Sequence, residues 1–205
     1  MHIVDGALSN PVVVTGAVLA VGGVAYGLKK LPMEKIPAAG VLSAAFFVAS
    51  LIHVPIGPSS VHLIMNGLAG LILGWAAFPA LFVGLLLQAA FFGFGGVTVL
   101  GINTVNIALP AVLAYLVCIK GVRSSNLTTA TVWGGVCGAL SIALTTLFVA
   151  ISLAMTGEEF IPAAKFVFFA HIPVLVIEGL LSAVAVYFLR LVKPEVLGAF
   201  EEVKR

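Results

Sequence analysis

The chain has 205 residues, 61% of them hydrophobic and 9% charged. Soluble domains carry roughly 25% charged residues, so this composition excludes a soluble globular domain, a disordered tail and a nucleic-acid binder. Its two cysteines, Cys118 and Cys137, lie in apolar runs and argue against a disulfide framework, and a net charge of +2 leaves the distribution of charge as the informative quantity.

A helix needs roughly 20 apolar residues to cross the hydrocarbon layer. Seven stretches qualify in chain order: 11–28, 36–54, 61–78, 80–95, 105–119, 131–155 and 166–189. They predict an all-α membrane protein of seven transmembrane helices, a single integral-membrane domain over 1–205. The third, fourth and fifth are short, and Pro79 alone punctuates the third and fourth, so six spans is the competing count. The runs are continuous rather than alternating, which speaks against a β-barrel.

Charge sets the orientation. Lys29, Lys30, Glu34 and Lys35 follow span one; Lys120 and Arg123 follow span five; Arg190, Lys193, Lys204 and Arg205 follow span seven. The linker between spans six and seven holds Glu158, Glu159 and a single Lys165, and Asp5 precedes span one. The positive-inside rule then places the N-terminus outside and the C-terminus in the cytoplasm. Small residues recur four apart at Gly16 and Ala20, Gly23 and Gly27, Gly40 and Ala44, Ala45 and Ala49, and Gly134 and Gly138. This spacing lets helix backbones approach closely, either inside the bundle or against another membrane subunit.

The opening Met1-His2-Ile3-Val4-Asp5-Gly6 has no basic n-region, so it does not read as a secretory signal. Met1 is expected to be retained, with a free amine outside. The amine, the His2 amide and the His2 imidazole supply three nitrogens in one chelate. One further imidazole completes a tetragonal four-nitrogen set, which suits Ni²⁺ or Cu²⁺ rather than structural Zn²⁺.

All four histidines fall on or near the outer side in this topology: His2, His53, His62 and His171. His62 follows a turn-rich loop containing Pro55, Gly57 and Pro58 that ends in an expected N-cap at Ser59 or Ser60. It is therefore expected in the first turn of span three, with Asn66 one turn later on the same face. The plainer reading is a capped helix with a histidine at headgroup level. Asp5 is a candidate acceptor orienting an imidazole, or the cap of a short turn. His53 ends span two.

His171 is expected in the first turns of span seven, with Glu178 two turns further on the same face. An intramembrane carboxylate is a functional-site hypothesis by default; the plainer reading is internal pairing. Asn103 and Asn106 lie between Gly101 and Pro110, after the glycine-rich run Gly93-Phe94-Gly95-Gly96, and are read as part of an external loop that could cover a pocket. No phosphate-binding loop is present, and no nucleophile arrangement suggests an enzyme. Energy for uphill transport would have to come from a partner or an ion gradient.

The opening residues and the block from Gly57 through His62 and Asn66 to Gly70 closely resemble the nickel/cobalt M subunits of energy-coupling-factor (ECF) transporters. The stretch 92–106 and Pro110-Ala111 are similar to that family too. The resemblance implies a substrate-capture subunit of an ATP-driven uptake system in a bacterial or archaeal cell membrane. It implies a six-helix core with one additional N-terminal helix, and a tail over residues 1–10 that inserts into the core from outside. The metal ligands it implies are the Met1 amine, the His2 amide and imidazole, and His62. It implies Ni²⁺ as the transported substrate, with Co²⁺ as the alternative, and no organic cofactor.

The partners it implies are a transmembrane coupling subunit, cytoplasmic ATP-binding-cassette ATPases and a small accessory membrane subunit. Coupling contacts in the wider group use small residues four apart on an early helix. The cobalt branch carries Ser-His-Pro-Thr-Gly at the second histidine, whereas this chain has Val61-His62-Leu63-Ile64, which favours nickel. Two further readings stay open: a gradient-driven divalent-metal carrier with His171 and Glu178 as a proton relay, and a structural membrane subunit without transport activity.

Overall fold

The computed structural model describes residues 2–51, 53–56 and 59–198. Eight α-helices are present among them: α1 (Asn10–Lys29), α2 (Ile36–Ala49), α3 (Asn66–Leu73), α4 (Ala77–Phe92), α5 (Leu100–Val122), α6 (Leu127–Ala154), α7 (Ile161–Ala170) and α8 (Ile172–Val192). An antiparallel hairpin of β1 (His53–Ile56) and β2 (Ser59–His62) lies between α2 and α3. Among the described residues, five stretches are long and apolar enough to cross a membrane: Asn10–Lys29, Asn66–Phe92, Leu100–Val122, Leu127–Ala154 and Glu158–Val192.

Several expected boundaries move. Span two shortens to α2, which at about 1.5 Å per residue is only about 21 Å long, and the chain beyond it turns into β1. Span three begins at Asn66 rather than 61. The β-branched Val54, Ile56 and Val61, with Pro55 among them, favour extended backbone over helix. Ser59 and Ser60 therefore lie in β2, ahead of the helix start. The residue before α3 is Met65, at φ 55°, with no side-chain cap. Span five lengthens to α5, which takes in Asn103 as well as Asn106, so neither is in a loop. Span six begins after Asn126, whose side chain accepts from the Thr129 amide at 3.0 Å. Span seven is broken between α7 and α8, because Pro173 lacks an amide donor in the first turn of α8.

The stretch 66–92 is not one straight rod, which would be about 40 Å long. Gly74 at φ 58° opens a 3-10 turn over Gly74–Ala76 between α3 and α4. His62, ahead of α3, and Phe94, after α4, both lie against His2, with ring centroids 4.6 and 6.3 Å away. The chain thus leaves His2 and returns to it. The reversal lies at the opposite end, where Trp75 meets Tyr26 of α1 at 4.9 Å and Lys35 donates to the Ile72 carbonyl at 3.0 Å.

Small residues set the close crossings. A Cβ on Gly70 would stand 2.3 Å from the Ala111 carbonyl oxygen, and one on Gly16 would stand 2.5 Å from Ile102 Cβ. Gly23 and Gly27 face Phe78 and Pro79, and Gly134 and Gly138 face Val186 and Ser182. Those pairs serve internal packing. Gly40 differs: nothing approaches its Cβ position within 4 Å, and Ala44 beside it is exposed.

Basic side chains gather at the Trp75 end. Arg123 donates to the Leu197 carbonyl at 3.1 Å and Arg190 to the Ser124 carbonyl at 2.7 Å. Such contacts complement the unsatisfied carbonyls at helix C-termini.

Candidate metal centre

The N-terminal tail runs into the bundle. His2 is 3% exposed and Ile3 fully buried. The Asn103 side chain, in the first turns of α5, accepts from the Ile3 amide at 3.0 Å and donates to the Ile3 carbonyl at 3.0 Å. The Asp5 amide donates to the Gly95 carbonyl at 2.7 Å. The Asp5 carboxylate accepts from the Thr98 hydroxyl and from the Val99 amide. Asp5 therefore fastens the tail to the loop before α5. The loop glycines admit the tail: at Gly96 (φ 120°) a Cβ would stand 2.1 Å from the Asp5 carboxyl carbon, and at Gly95 (φ 74°) one would stand 2.9 Å from Asn103 Nδ2 and 3.3 Å from His2 Cβ.

His2 and His62 stack with 26° between their planes. Phe94 lies nearly parallel to the His2 ring, with 22° between their planes, and Phe46 of α2 lies 6.4 Å from the His62 ring. His62 is also 3% exposed. Burial pushes its imidazole down to about 4, against the opposing hydrogen bond to Leu63. The ring is therefore neutral near pH 7, the form that ligates metals. Its Nδ1 lies 2.6 Å from the Leu63 carbonyl oxygen, and its Nε2 is buried with no hydrogen-bond partner among the described residues.

His53 pairs with His62 across the hairpin by backbone register. Its side chain lies outside the described residues, as does Met1. His62 is in a strand rather than a helix, so it does not share a helix face with Asn66. Asn66 points into the bundle, donating to the Ile107 carbonyl and the Thr145 hydroxyl at 2.9 Å each and accepting from Ser141 at 3.0 Å. Asn106 accepts from Ser152 of α6 at 3.2 Å.

His171 sits at the junction of α7 and α8, where its Nδ1 donates to the Val167 carbonyl at 2.6 Å. It lies within electrostatic reach of His62. Glu178, fully buried, accepts from the amides of Ile64 and Met65. The hydrogen bonds of His171 and Glu178 go to different groups, and among the described residues none joins the two directly. Thr98, Leu63 and the Ile3 backbone are parts of the site that residue-type reasoning passes over, because two of them act through the main chain. Gly95 and Gly96 were the one signal in the sequence of a backbone approaching closely there.

Among the described residues no three His, Cys, Asp or Glu side chains come together to hold a metal. The two imidazoles brought together there are those of His2 and His62.

Residues 2–196 match the family described as CbiM, cobalt uptake substrate-specific transmembrane region. A Haemophilus influenzae protein named as a metal transport protein is 38% identical over 203 residues, covering 98% of each chain. A Methanocorpusculum labreanum protein named as cobalt transport protein CbiM 1 is 30% identical, covering 100% of this chain and 97% of its own. An Archaeoglobus fulgidus protein named as a fused nickel transport protein, NikMN, is 27% identical, and the match covers 68% of its length. A crystal structure described as a truncated transition metal transporter superposes with a TM-score of 0.72 at 25% identity, over 93% of this chain and 98% of its own. The chain belongs to the CbiM family, and is a transmembrane component of nickel/cobalt uptake.

Proposed function

We propose that this chain is the substrate-capture subunit of an energy-coupling-factor transporter, taking Ni²⁺, or Co²⁺ in its place, from outside the cell. The observation that carries the reading is the buried stacking of His2 on His62 beside the chain terminus. The Met1 amine, the His2 amide and imidazole, and His62 Nε2 form the four-nitrogen ligand set. That geometry disfavours Ca²⁺ and Mg²⁺, which take oxygen ligands. The sequence Val61-His62-Leu63-Ile64 favours nickel.

The chain crosses the membrane seven times in this reading, with α3 and α4 as separate passes and α7 and α8 as one broken pass. The return of both flanks of 66–92 to His2 supports that count. The gathering of Lys35, Arg123 and Arg190 at the far end supports an outer tail and a cytoplasmic C-terminus. The subunit is not an enzyme, and ATP is hydrolysed by partner ATPases through a transmembrane coupling subunit. The relative named as a fused nickel transport protein, NikMN, supports work with further transporter components. The exposed Gly40 and Ala44 on α2 are the face for the coupling subunit, since the other early small-residue pairs with facing glycines are used inside the bundle.

The test is Ni²⁺ binding by purified protein with its N-terminus verified by mass spectrometry. A yellow, low-spin nickel absorbance is expected, and it should vanish in His62→Ala and when one residue is added before Met1. Tight binding that survives the added residue would exclude the amine chelate.

A further inference from the structure

One peptide group joins the buried carboxyl of α8 to the imidazole of β2. Glu178 Oε1 accepts from the Ile64 amide and, at 2.8 Å, from the Met65 amide. The Ile64 N–H belongs to the same peptide unit as the Leu63 carbonyl. That carbonyl oxygen is the atom 2.6 Å from His62 Nδ1. A carbonyl oxygen only accepts, so Nδ1 carries the proton and donates. A neutral imidazole holds one such proton, which leaves Nε2 with its lone pair. Nε2 is the buried ring atom that has no partner among the described residues.

We propose that Glu178 is a positioning residue for metal capture: acting through the Leu63–Ile64 peptide, it fixes His62 in the Nδ1–H tautomer and presents Nε2 as the ligand. The proposal rests on the reading of His62 as a metal ligand. Metal-binding histidines are commonly oriented by a carboxylate or carbonyl on their other ring nitrogen. Here the carbonyl makes that contact and the carboxyl stands one peptide behind it. A hydrogen bond at the N–H end of a peptide polarises the group and strengthens the bond at its C=O end.

The same contacts shape the corner between β2 and α3. Met65 is at φ 55°, a region uncommon for a residue other than glycine. Leu63, Ile64 and Met65 offer no polar side chain, and α3 has no side-chain cap. The carboxyl that fills this role comes from a position 114 residues from Ile64. It holds two successive amides through one oxygen, which sets the plane of the peptide that His62 reads.

The experiment compares Glu178→Met, which keeps the length and removes the acceptor, with Glu178→Gln, which keeps an accepting oxygen. Elution profile and thermal unfolding check the fold. Should Glu178→Met fail to fold, Glu178→Asp, which withdraws the acceptor by one methylene, takes its place. The first readout is ¹⁵N NMR of histidine-labelled protein without metal, with His62 assigned by comparison with His62→Ala. Wild type and Glu178→Gln are expected in the Nδ1–H tautomer, and Glu178→Met with a substantial Nε2–H population. The second readout is Ni²⁺ affinity, expected to fall about ten- to a hundred-fold in Glu178→Met and to be largely restored in Glu178→Gln. An unchanged His62 tautomer in Glu178→Met overturns the proposal, whatever happens to affinity. If wild type binds no nickel, the capture reading fails on its own, while the metal-free NMR still decides whether Glu178 governs the His62 ring.

Discussion

The carboxamide of Asn103 closes two hydrogen bonds on the backbone of Ile3, one to its amide and one to its carbonyl, each 3.0 Å long. A side chain is standing in for a neighbouring β-strand. It reads no side chain of the tail, so it sets position and register rather than sequence. Because Ile3 follows His2 directly, this clamp determines where the His2 ring meets His62.

Asn103→Leu removes both bonds at similar volume. At about 0.5–1.5 kcal/mol net per hydrogen bond, the docked tail should lose about 1–3 kcal/mol. The Ni²⁺ dissociation constant should rise roughly five- to a hundred-fold, while thermal unfolding changes less. Titration of both proteins against a competing chelator measures it, and equal affinities would show that the clamp is dispensable.

Gly96 and Gly93 both have positive φ but differ in their surroundings. Gly93→Ala meets nothing within 4 Å, so it should incur only the left-handed backbone penalty of about 1–2 kcal/mol. Gly96→Ala drives a methyl group into the Asp5 carboxylate. It should release the tail, seen as faster proteolysis near the N-terminus and weakened metal binding. Similar tail protection in the two variants would count against the Asp5 anchor.

Asn66 gives the opposite pattern. Asn66→Leu leaves the Ser141 and Thr145 hydroxyls and the Ile107 carbonyl short of partners inside the bundle. Stability should fall by about 1–3 kcal/mol, with nickel affinity within about threefold of wild type, because the hydrogen bonds of Asn66 stay inside the bundle. A larger effect on affinity than on unfolding would return Asn66 to the metal pocket.

Gly40→Leu and Ala44→Leu place bulk on the exposed face of α2 without touching the tail. Metal binding by the isolated subunit should be unchanged. Co-purification with the coupling subunit and nickel uptake by cells should both drop sharply. Normal assembly in both variants would move the docking face elsewhere.

Membrane residence was legible in the sequence because it depends on composition and on runs of apolar residues, which are local quantities. The family was legible for a similar reason: the residues around His2 and His62 form short contiguous motifs. The pairing of those two histidines was an expectation from chelate chemistry and resemblance, and the fold brings the rings to 4.6 Å. The helical periodicity of the block 61–70 failed, however. Val61 and His62 are extended because they pair with Val54 and His53, and a single strand gives no sign of its partner. Asn103 and Asn106 looked like loop residues because glycines precede them, yet the bundle continues α5 through both. What only the tertiary structure decided is which main-chain groups the buried polar side chains serve. Asn103 finds Ile3 across 100 residues and Glu178 finds Ile64 across 114. In an apolar interior an unsatisfied polar group is costly, so these partners are forced by folding, and no local pattern in the chain names them.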